Sequence, residues 1–401
     1  MQIFIYICEM FHRQLIAKLN RLAIQFPVMA ITGPRQVGKS TLAKIFAEVA
    51  GKKFILFDLE KPSDQLALEE QTTQVLERYK DKLVIIDEVQ RQKALFPIMR
   101  YLVDEHRIPL RFLLLGSASP ELIKNSSESL AGRIAFAELC GFLPIEIGIE
   151  NWRKLWFRGG YPTAFLQENN NQRKDWFENY INTYVQRDLP LLGMPSEPGV
   201  TIRLLYMLAH LNGQVLNMST LARNLGISVN TIKTYLYFLE NAGLIRLLEP
   251  WFVNSAKRLV KNPKLYFRDT GILHFLLGIR MEEDVLIHPA CGASFEGFII
   301  EKTLANPNLN LLGYFYSEHS GGEIDLMLVE GMNIKCTIEI KLGGINNLSK
   351  VSKVLHQNFS SASRVLVSGE TNKNMQLANN MEMMTVENYF SEFLSSLEAN
   401  T

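Results

Sequence analysis

Residues 28–41 read VMAITGPRQVGKST, with Gly33, Gly38, Lys39 and Ser40 at the spacing G-x-x-x-x-G-K-[ST]. A loop of this spacing wraps a polyphosphate. The glycines let backbone N–H groups come close to phosphate oxygens, the lysine meets the β- and γ-phosphates, and the serine hydroxyl is a magnesium ligand. Gly33, Pro34, Arg35, Gln36, Val37, Gly38, Lys39, Ser40 and Thr41 are therefore assigned to nucleotide contact. The apolar run before the loop predicts a strand over Val28–Thr32, and Leu42, Ala43, Ile45 and Phe46 after it predict a helix starting near Lys39. The first turn of such a helix has unpaired N–H groups and the positive end of the helix dipole, which stabilise a bound anion.

A second chemical pair lies in KLVIIDEVQ, residues 82–90. Leu83 to Ile86 predict a buried parallel strand, with Asp87 and Glu88 at its carboxyl end, where open α/β sheets bind ligands. Asp87 would hold magnesium through water and Glu88 would polarise an attacking water; an acidic pair capping a helix is the competing reading, and the upstream loop favours catalysis. A further apolar run, residues 112–115, ends in GSASPELIK, where Ser117 or Ser119 could hydrogen-bond the γ-phosphate or the water, although a plain loop serine fits as well. The elements that position these groups alternate. KKFILFDLE, residues 52–60, predicts a strand before a Pro62-Ser63-Asp64 turn, and residues 66–79 are helix-like. Strand–helix alternation points to a doubly wound parallel sheet.

These residues resemble the AAA-type branch of P-loop ATPases. The resemblance implies ATP and Mg2+ as cofactors, and a sheet in which the serine-bearing strand lies between the phosphate-loop strand and the Asp-Glu strand. It also implies an arginine that touches the γ-phosphate from a neighbouring subunit or in cis. Arg133, in LAGRIAFAELCGFLPIEI, is the first candidate and Arg187, in YVQRDLP, the second; either could instead be a surface ion-pair partner.

Residues 152–192 are aromatic-rich and read as helices around the turn RGGYPTAF, with Trp176, Tyr180 and Tyr184 at helical spacing as a core stripe. GMPSEPGV, residues 193–200, marks a linker. Beyond it, NMSTLARNLGISVNTIKTYLYFLENAGLIRLL reads as helix, turn, helix and strand, with Ser219 and Ser228 as N-caps and Gly226 in the turn. Val229, Ile232, Leu236 and Leu239 face the core, leaving Asn230, Thr231, Lys233, Thr234 and Tyr237 outward. This arrangement resembles a winged helix-turn-helix, whose second helix commonly enters the major groove of DNA. The wing segment, residues 246–268, has six basic residues, Arg246, Lys257, Arg258, Lys261, Lys264 and Arg268, against one acid, Glu249. That surplus suits phosphate contacts. Lys233, Lys257, Arg258, Lys261 and Lys264 are the candidate DNA contacts; a protein-packing role is the alternative.

With KNPKLYFRDTGILHFLLG, DEVQ, LAGR, RGGYP and QRDLP, the chain resembles a large prokaryotic family of AAA-type ATP-binding proteins. Their C-terminal half joins a winged helix to a nuclease-like region. In the last third, Glu296 lies on a predicted helix, Asp325 on a strand, and Glu339 and Lys341 alternate on the next strand and share a face. This pattern resembles the restriction-endonuclease-like PD-(D/E)xK fold, although Gly322-Glu323-Ile324 replaces the Pro-Asp pair. The resemblance implies a second magnesium on Asp325 and Glu339, with Glu296 as a further or water-mediated ligand and Lys341 activating the water. His319 reads as a surface turn residue, and a strand over residues 364–368 and a helix over 386–397 close the chain.

The expected fold is α/β: an AAA-type P-loop NTPase with a parallel sheet flanked by helices, a winged helix-turn-helix, and a restriction-endonuclease-like α/β domain. The boundaries are 1–150 (1–26 an amphipathic helical region led by Leu15, Leu19, Leu22 and Phe26), 151–195 a helical lid, 196–280 the winged helix and 281–401 the nuclease-like domain. Composition agrees with two or three globular domains: 401 residues, 47% apolar, 21% charged, net charge +1. Cys8, Cys140, Cys291 and Cys336 are scattered, which reads as reduced thiols in a cytoplasmic protein. The apolar start MQIFIYICEMF is too short to span a bilayer and lacks a cleavage site, with Met10 as an alternative beginning. The function expected is ATP hydrolysis coupled to DNA, with a homo-oligomer or a protein as further partners and no membrane. A nucleotide-controlled protein-binding module with little hydrolysis and a magnesium-dependent DNA-cleaving effector are the competing readings.

Overall fold

The computed structural model describes residues 11–116, 129–195, 197–251, 261–318, 322–343, 359, 362–377 and 380–399. Ser117, Ser119, Lys257, Arg258 and His319 lie outside the described residues. The chain forms two compact units. One comprises residues 1–141 with 191–193 and 241–243; the other comprises 142–190, 194–240 and 244–401.

In the first unit the order is α1 (Leu15–Ala23), β1 (Val28–Thr32), α2 (Lys39–Val49), β2 (Phe54–Asp58), α3 (Pro62–Glu70), α4 (Thr72–Arg78), β3 (Leu83–Asp87), α5 (Leu95–Glu105), β4 (Phe112–Gly116) and β5 (Ile134–Glu138). The five strands make one parallel sheet in the order β2-β3-β4-β1-β5. Thus β4 lies between β1 and β3, as the resemblance implies. Every residue of β1 and β4 is buried, which explains their continuous apolar sequence: both faces of a central parallel strand are covered. Leu15, Ile16 and Leu19 of α1 are buried, and this helix packs on β5. The helix-like stretch 66–79 is two helices, because Gln71 leaves the helical region at φ −137°, ψ 38°. The preceding Pro62 takes the first helical position, where its missing N–H costs nothing.

The second unit begins with α6 (Trp152–Arg158), α7 (Pro162–Leu166) and α8 (Asn170–Thr183), which runs into a π-helical turn at Tyr184–Asp188. Trp176, Tyr180 and Tyr184 stack in series with centroids 5.0 and 5.4 Å apart, and the Tyr161 and Tyr180 hydroxyls meet at 2.9 Å. The stripe is core. Next come α9 (Pro198–His210), α10 (Met218–Leu225) and α11 (Val229–Asn241), then the antiparallel pair β6 (Ile245–Leu248) and β7 (Lys264–Phe267). Gly226 sits in the turn at φ 69° and Ser228 caps α11 through the Thr231 N–H at 3.0 Å. The cap of α10 is Asn217 rather than Ser219: its side chain accepts from the Thr220 N–H at 3.0 Å.

Then follow α12 (Thr270–Leu276), α13 (Glu282–Ile287), α14 (Cys291–Leu304) and a six-stranded sheet. Its strands are β8 (Leu312–Ser317), β9 (Glu323–Glu330), β10 (Asn333–Lys341), β11 (Ser363–Ser368), β12 (Met375–Leu377) and β13 (Met381–Thr385), in the order β12-β13-β11-β10-β9-β8. The meander β8-β9-β10 is antiparallel, whereas β10-β11 and β11-β13 are parallel. Among the described residues, no helix is long and apolar enough to cross a membrane.

Buried polar groups tie α6, α12 and α14 together. Asp269 caps α12 by accepting from the Ile272 N–H at 3.0 Å, and its other oxygen takes the Gly160 N–H at 2.6 Å. That contact explains Gly159: a Cβ there would stand 2.3 Å from an Asp269 oxygen. His274 places Nδ1 3.0 Å from the Phe157 carbonyl and Nε2 2.7 Å from Ser294 Oγ, which also receives the Trp156 indole N–H at 3.0 Å. The carbonyl can only accept, so Nδ1 donates and Nε2 accepts from the serine hydroxyl. This arrangement fits the neutral ring, and burial pushes the His274 pKa down to about 4. The unfolded ring takes a proton near pH 6.5, while the folded ring resists until about pH 4. Stability of the second unit should therefore hold above pH 6.5 and decline by about 3 kcal/mol as pH falls towards 4. Urea unfolding across that window tests this, and the His274→Gln variant should lose one proton's worth of the slope.

Candidate functional site

The phosphate loop emerges from the carboxyl end of β1 with four residues in left-handed backbone geometry around it: Gly33 (φ 145°), Gln36 (62°), Gly38 (97°) and Glu88 (55°). Gly33 is required for space as well, because a Cβ there would lie 2.1 Å from the Leu139 carbonyl oxygen beyond β5. Gly38 is the N-cap of α2 and leaves the first-turn N–H groups of Lys39, Ser40 and Thr41 directed outward along the helix axis. Lys39 is buried, and its ammonium donates to the Gly33 carbonyl at 3.0 Å and the Pro34 carbonyl at 2.9 Å. Burial pushes its pKa down, while Glu88 and Asp87 pull it back up. The cation thus sits on neutral carbonyls, near two acids, in a loop of phosphate-binding geometry.

Asp87 and Glu88 end β3 as expected. Ser40 Oγ donates to an Asp87 carboxylate oxygen at 2.5 Å, and the other oxygen takes the Glu88 N–H at 3.0 Å. Two hard oxygen donors from opposite sides of the loop meet there, and this donor set fits magnesium. Glu88 receives the Gln90 amide at 2.5 Å. Burial raises its pKa and Lys39 lowers it. A non-glycine residue held at φ 55° is strained, and such strain clusters where a side chain must be aimed.

Some residues of this site were not singled out by sequence. Arg13, just before α1, is buried and donates to the Val37 carbonyl at 3.3 Å and the Cys140 carbonyl at 2.6 Å, bracing the loop from behind. Glu60 receives Arg35 at 2.8 Å and Arg91 at 3.0 Å through one oxygen. Neither contact has a sequence signature, since each joins residues far apart in the chain. For Arg133 the in-cis option is a correction. It precedes β5 at the end of the sheet opposite the phosphate loop, with its carbonyl accepting the Val28 N–H and its guanidinium bound to Asp104 at 2.6 and 2.9 Å. It cannot reach the γ-phosphate of its own chain. Arg187 lies on the π-helical turn of the second unit, exposed.

The candidate DNA contacts divide. Lys233 is exposed on α11 and Lys261 is exposed before β7. Lys264 is buried at 4% exposure, a second correction: its ammonium meets Glu296 at 3.1 Å and Glu323 more closely. Arg246 and Arg268 both bind the buried Glu301, at 2.6 and 2.7 Å. Three of the six basic residues of the wing segment, Arg246, Lys264 and Arg268, are therefore paired within the unit.

The carboxylates of the six-stranded sheet do come together. Glu296, Glu323 and Asp325 place oxygens within 4.8 Å of one another. Lys341 bridges Asp325 at 3.3 Å and Glu339 at 3.0 Å, and the Ile340 N–H donates to Asp325 at 2.8 Å. Burial raises the Asp325 pKa well above the usual range, with Glu296 and Glu339 adding to it. Glu296 also accepts the Tyr266 hydroxyl. Sequence reasoning found Glu296, Asp325, Glu339 and Lys341 but neither Glu323 nor Tyr266. Each of these carboxylates contacts an ammonium of the same chain, Lys264 for Glu296 and Glu323 and Lys341 for Asp325 and Glu339.

Residues 25–147 match a family described as an AAA domain, residues 149–283 a domain of unknown function (DUF8612), and residues 291–389 another (DUF4143). The uncharacterized protein Rv2008c of Mycobacterium tuberculosis is 40% identical over 314 residues, covering 78% of this chain and 70% of that protein. Mb2031c of Mycobacterium bovis matches to the same extent. Among solved structures, the Walker-type ATPase PABY2304 of Pyrococcus abyssi has 16% identity and a TM-score of 0.45, covering 66% of this chain and 95% of that one. The RuvB Holliday junction branch migration motor of Thermotoga maritima has 17% identity and a TM-score of 0.31, with 59% and 90% covered.

Gly33→Ala should collapse the loop geometry, since both its φ and its space are unavailable to alanine. The expected result is a loss of at least about 2 kcal/mol in stability of the first unit and an ATP affinity lowered by tenfold or more. Fluorescent-nucleotide titration alongside chemical denaturation measures both.

Proposed function

The chain belongs to the family of AAA-domain proteins that includes Rv2008c of Mycobacterium tuberculosis, and from that premise we propose that it hydrolyses ATP to ADP and phosphate. The observation that carries the reading is the contact of Ser40 with Asp87 beside a buried Lys39 whose ammonium rests on backbone carbonyls. A triphosphate would exchange those carbonyls for phosphate oxygens and give the buried cation a charged partner. Magnesium, held by Ser40 and Asp87, would neutralise charge on the β- and γ-phosphates. Glu88 orients a water against the γ-phosphate and accepts its proton; its raised pKa brings it nearer the working range of a general base. Arg133 can complete such a site only in a neighbouring copy, so an oligomer with trans contact belongs to this reading. The thiols Cys291 and Cys336 agree with a reducing, cytoplasmic setting.

A second component of the proposal is contact of the second unit with DNA. What supports it is the pair α10 and α11 joined by the Gly226 turn, with Asn230, Lys233 and Tyr237 on the exposed side of α11. This resembles a winged helix-turn-helix beside a nuclease-like sheet, and nucleotide state in the first unit would control its use. A module that contacts a protein partner with little hydrolysis is the alternative. DNA cleavage is left out of the proposal; Lys264 pairs with Glu296, the further ligand that such a site would use.

Lys39→Ala should abolish ATP binding, whereas Glu88→Gln should retain binding and lower turnover by about 100-fold or more. Phosphate release and nucleotide titration on each variant distinguish the two steps; turnover persisting in Lys39→Ala would falsify the assignment. Lys233→Glu with Lys261→Glu should weaken binding to duplex DNA and flatten its dependence on salt. Binding that is unchanged by charge reversal, or absent in the native protein at low salt, favours the protein-contact alternative.

A further inference from the structure

Arg173, in the first turn of α8, is a buried cation that ATP hydrolysis does not use; it is 5% exposed. Its Nη2 donates to the Arg280 carbonyl at 3.1 Å, and the guanidinium carbon lies 4.1 Å from the centre of the Phe157 ring. Nη1 is buried without a hydrogen-bond partner, and among the described residues Arg173 forms no ion pair. Burial pushes its pKa down to about 10; Arg158 adds to that and Glu282 opposes it. A charged group held out of water with a donor unused is costly, and native folds seldom keep one without a use for it.

Arg173 borders a cavity of about 580 Å³ between α8, α9 and α12. Phe157 and Arg280, the two residues on which the guanidinium rests, border it as well. Phe177 and Phe275, stacked with centroids 6.1 Å apart, and the buried Ile279 give it apolar walls. A cavity of this size and lining suits a small organic molecule. Lys174, Arg280 and Glu178 are its other charged neighbours; Arg280 and Glu178 are exposed, where water and salt screen them. His274 borders it too, but that ring is neutral and both its nitrogens are engaged.

We propose that this cavity binds a small molecule consisting of a carboxylate on an apolar body, with the carboxylate on the Arg173 guanidinium. The planar fork of an arginine matches carboxylate oxygens, and Nη1 is the donor left over for one. A single buried positive charge is balanced by a single negative one, which favours a carboxylate over a phosphate dianion. The apolar body would displace water from Phe177, Phe275 and Ile279, so each half of the ligand meets its own kind of wall. All of these residues belong to the second unit, and the inference is independent of ATP hydrolysis in the first.

The test is calorimetric titration of the full-length chain, without nucleotide, with octanoate and 3-phenylpropionate as probes and octan-1-ol and phenyl phosphate as their controls. At least one of the two carboxylates should bind saturably, one per chain, and raise the unfolding temperature. Octan-1-ol should bind at least tenfold more weakly than octanoate, and phenyl phosphate more weakly than 3-phenylpropionate. Arg173→Met keeps an apolar side chain beside Phe157 without the charge; it should lower carboxylate affinity at least tenfold and leave that for octan-1-ol unchanged. Ile202→Trp narrows the cavity from a half-buried position on α9 and should also lower carboxylate affinity at least tenfold, which keeps the test open should the methionine variant not fold. Lys39→Ala should bind the carboxylates as the native chain does, since the phosphate loop takes no part. The proposal is overturned if neither carboxylate binds, if octan-1-ol or phenyl phosphate binds as tightly as its carboxylate counterpart, if a folded Arg173→Met or Ile202→Trp variant keeps native affinity, or if Lys39→Ala loses it.

Discussion

A buried ammonium must be compensated, and the way each unit meets that requirement sets what it can bind. Removing an ammonium from water costs several kcal/mol even after relaxation. In the first unit Lys39 recovers part of this from the Gly33 and Pro34 carbonyls and part from the field of Glu88 and Asp87. Carbonyl dipoles satisfy its hydrogen bonds and leave its charge unmatched by direct contact. The loop is folded around a cation that a polyphosphate would satisfy better than the protein does. Its backbone geometry is imposed from outside: Leu139 leaves no room beside Gly33, and Arg13 ties Val37 to Cys140. The strained positions are therefore held before any ligand arrives, which lowers the ordering cost of binding.

Sheet order then decides which groups meet the loop. Placing β4 between β1 and β3 sets the end of β3 one strand away from the loop, near enough for Ser40 to touch Asp87 directly. Parallel pairing aligns all the carboxyl ends on one side, so Asp58, Asp87 and the loop share that edge. The same geometry keeps Arg133 away from the loop of its own chain, because its position before β5 places it at the amino edge. One topological fact thus accounts for both an inclusion and an exclusion.

Sequence made the loop legible because its chemistry is local: Gly33 to Ser40 are contiguous, and Asp87 and Glu88 end an apolar run that could only be a buried strand. The strand ends, the stacked aromatic stripe and the Ser228 cap were legible for the same reason. The errors share the opposite character. Ser219 and Asn217 are both competent caps, and the choice depends on where α10 begins, which packing decides. Charge counting gave the wing segment a basic surplus but could not show that Glu301, Glu296 and Glu323, distant in sequence, absorb Arg246, Arg268 and Lys264. Tyr266 and Glu323 were overlooked because nothing in their neighbours marks them; only the approach of β7 to α14 and β9 brings them together.

Lys39 and Lys264 are both nearly inaccessible, at 6% and 4% exposure, yet they face ligands in opposite ways. Lys39 donates to neutral oxygens, so an anion gains by displacing them, and burial, helped by the charge of Arg35, drives its pKa down. Lys264 donates to carboxylates, which overcome the effect of burial and raise its pKa. An anion arriving there would have to compete with charges already in place, and a cation would have to displace the ammonium itself. The difference lies in the first contact of the nitrogen, not in the depth of burial. A buried lysine on carbonyls marks a site waiting for a ligand, whereas one on carboxylates marks a site the chain has filled itself. For this protein the distinction separates a phosphate loop that a polyphosphate would complete from a carboxylate cluster whose charge Lys264 and Lys341 already balance.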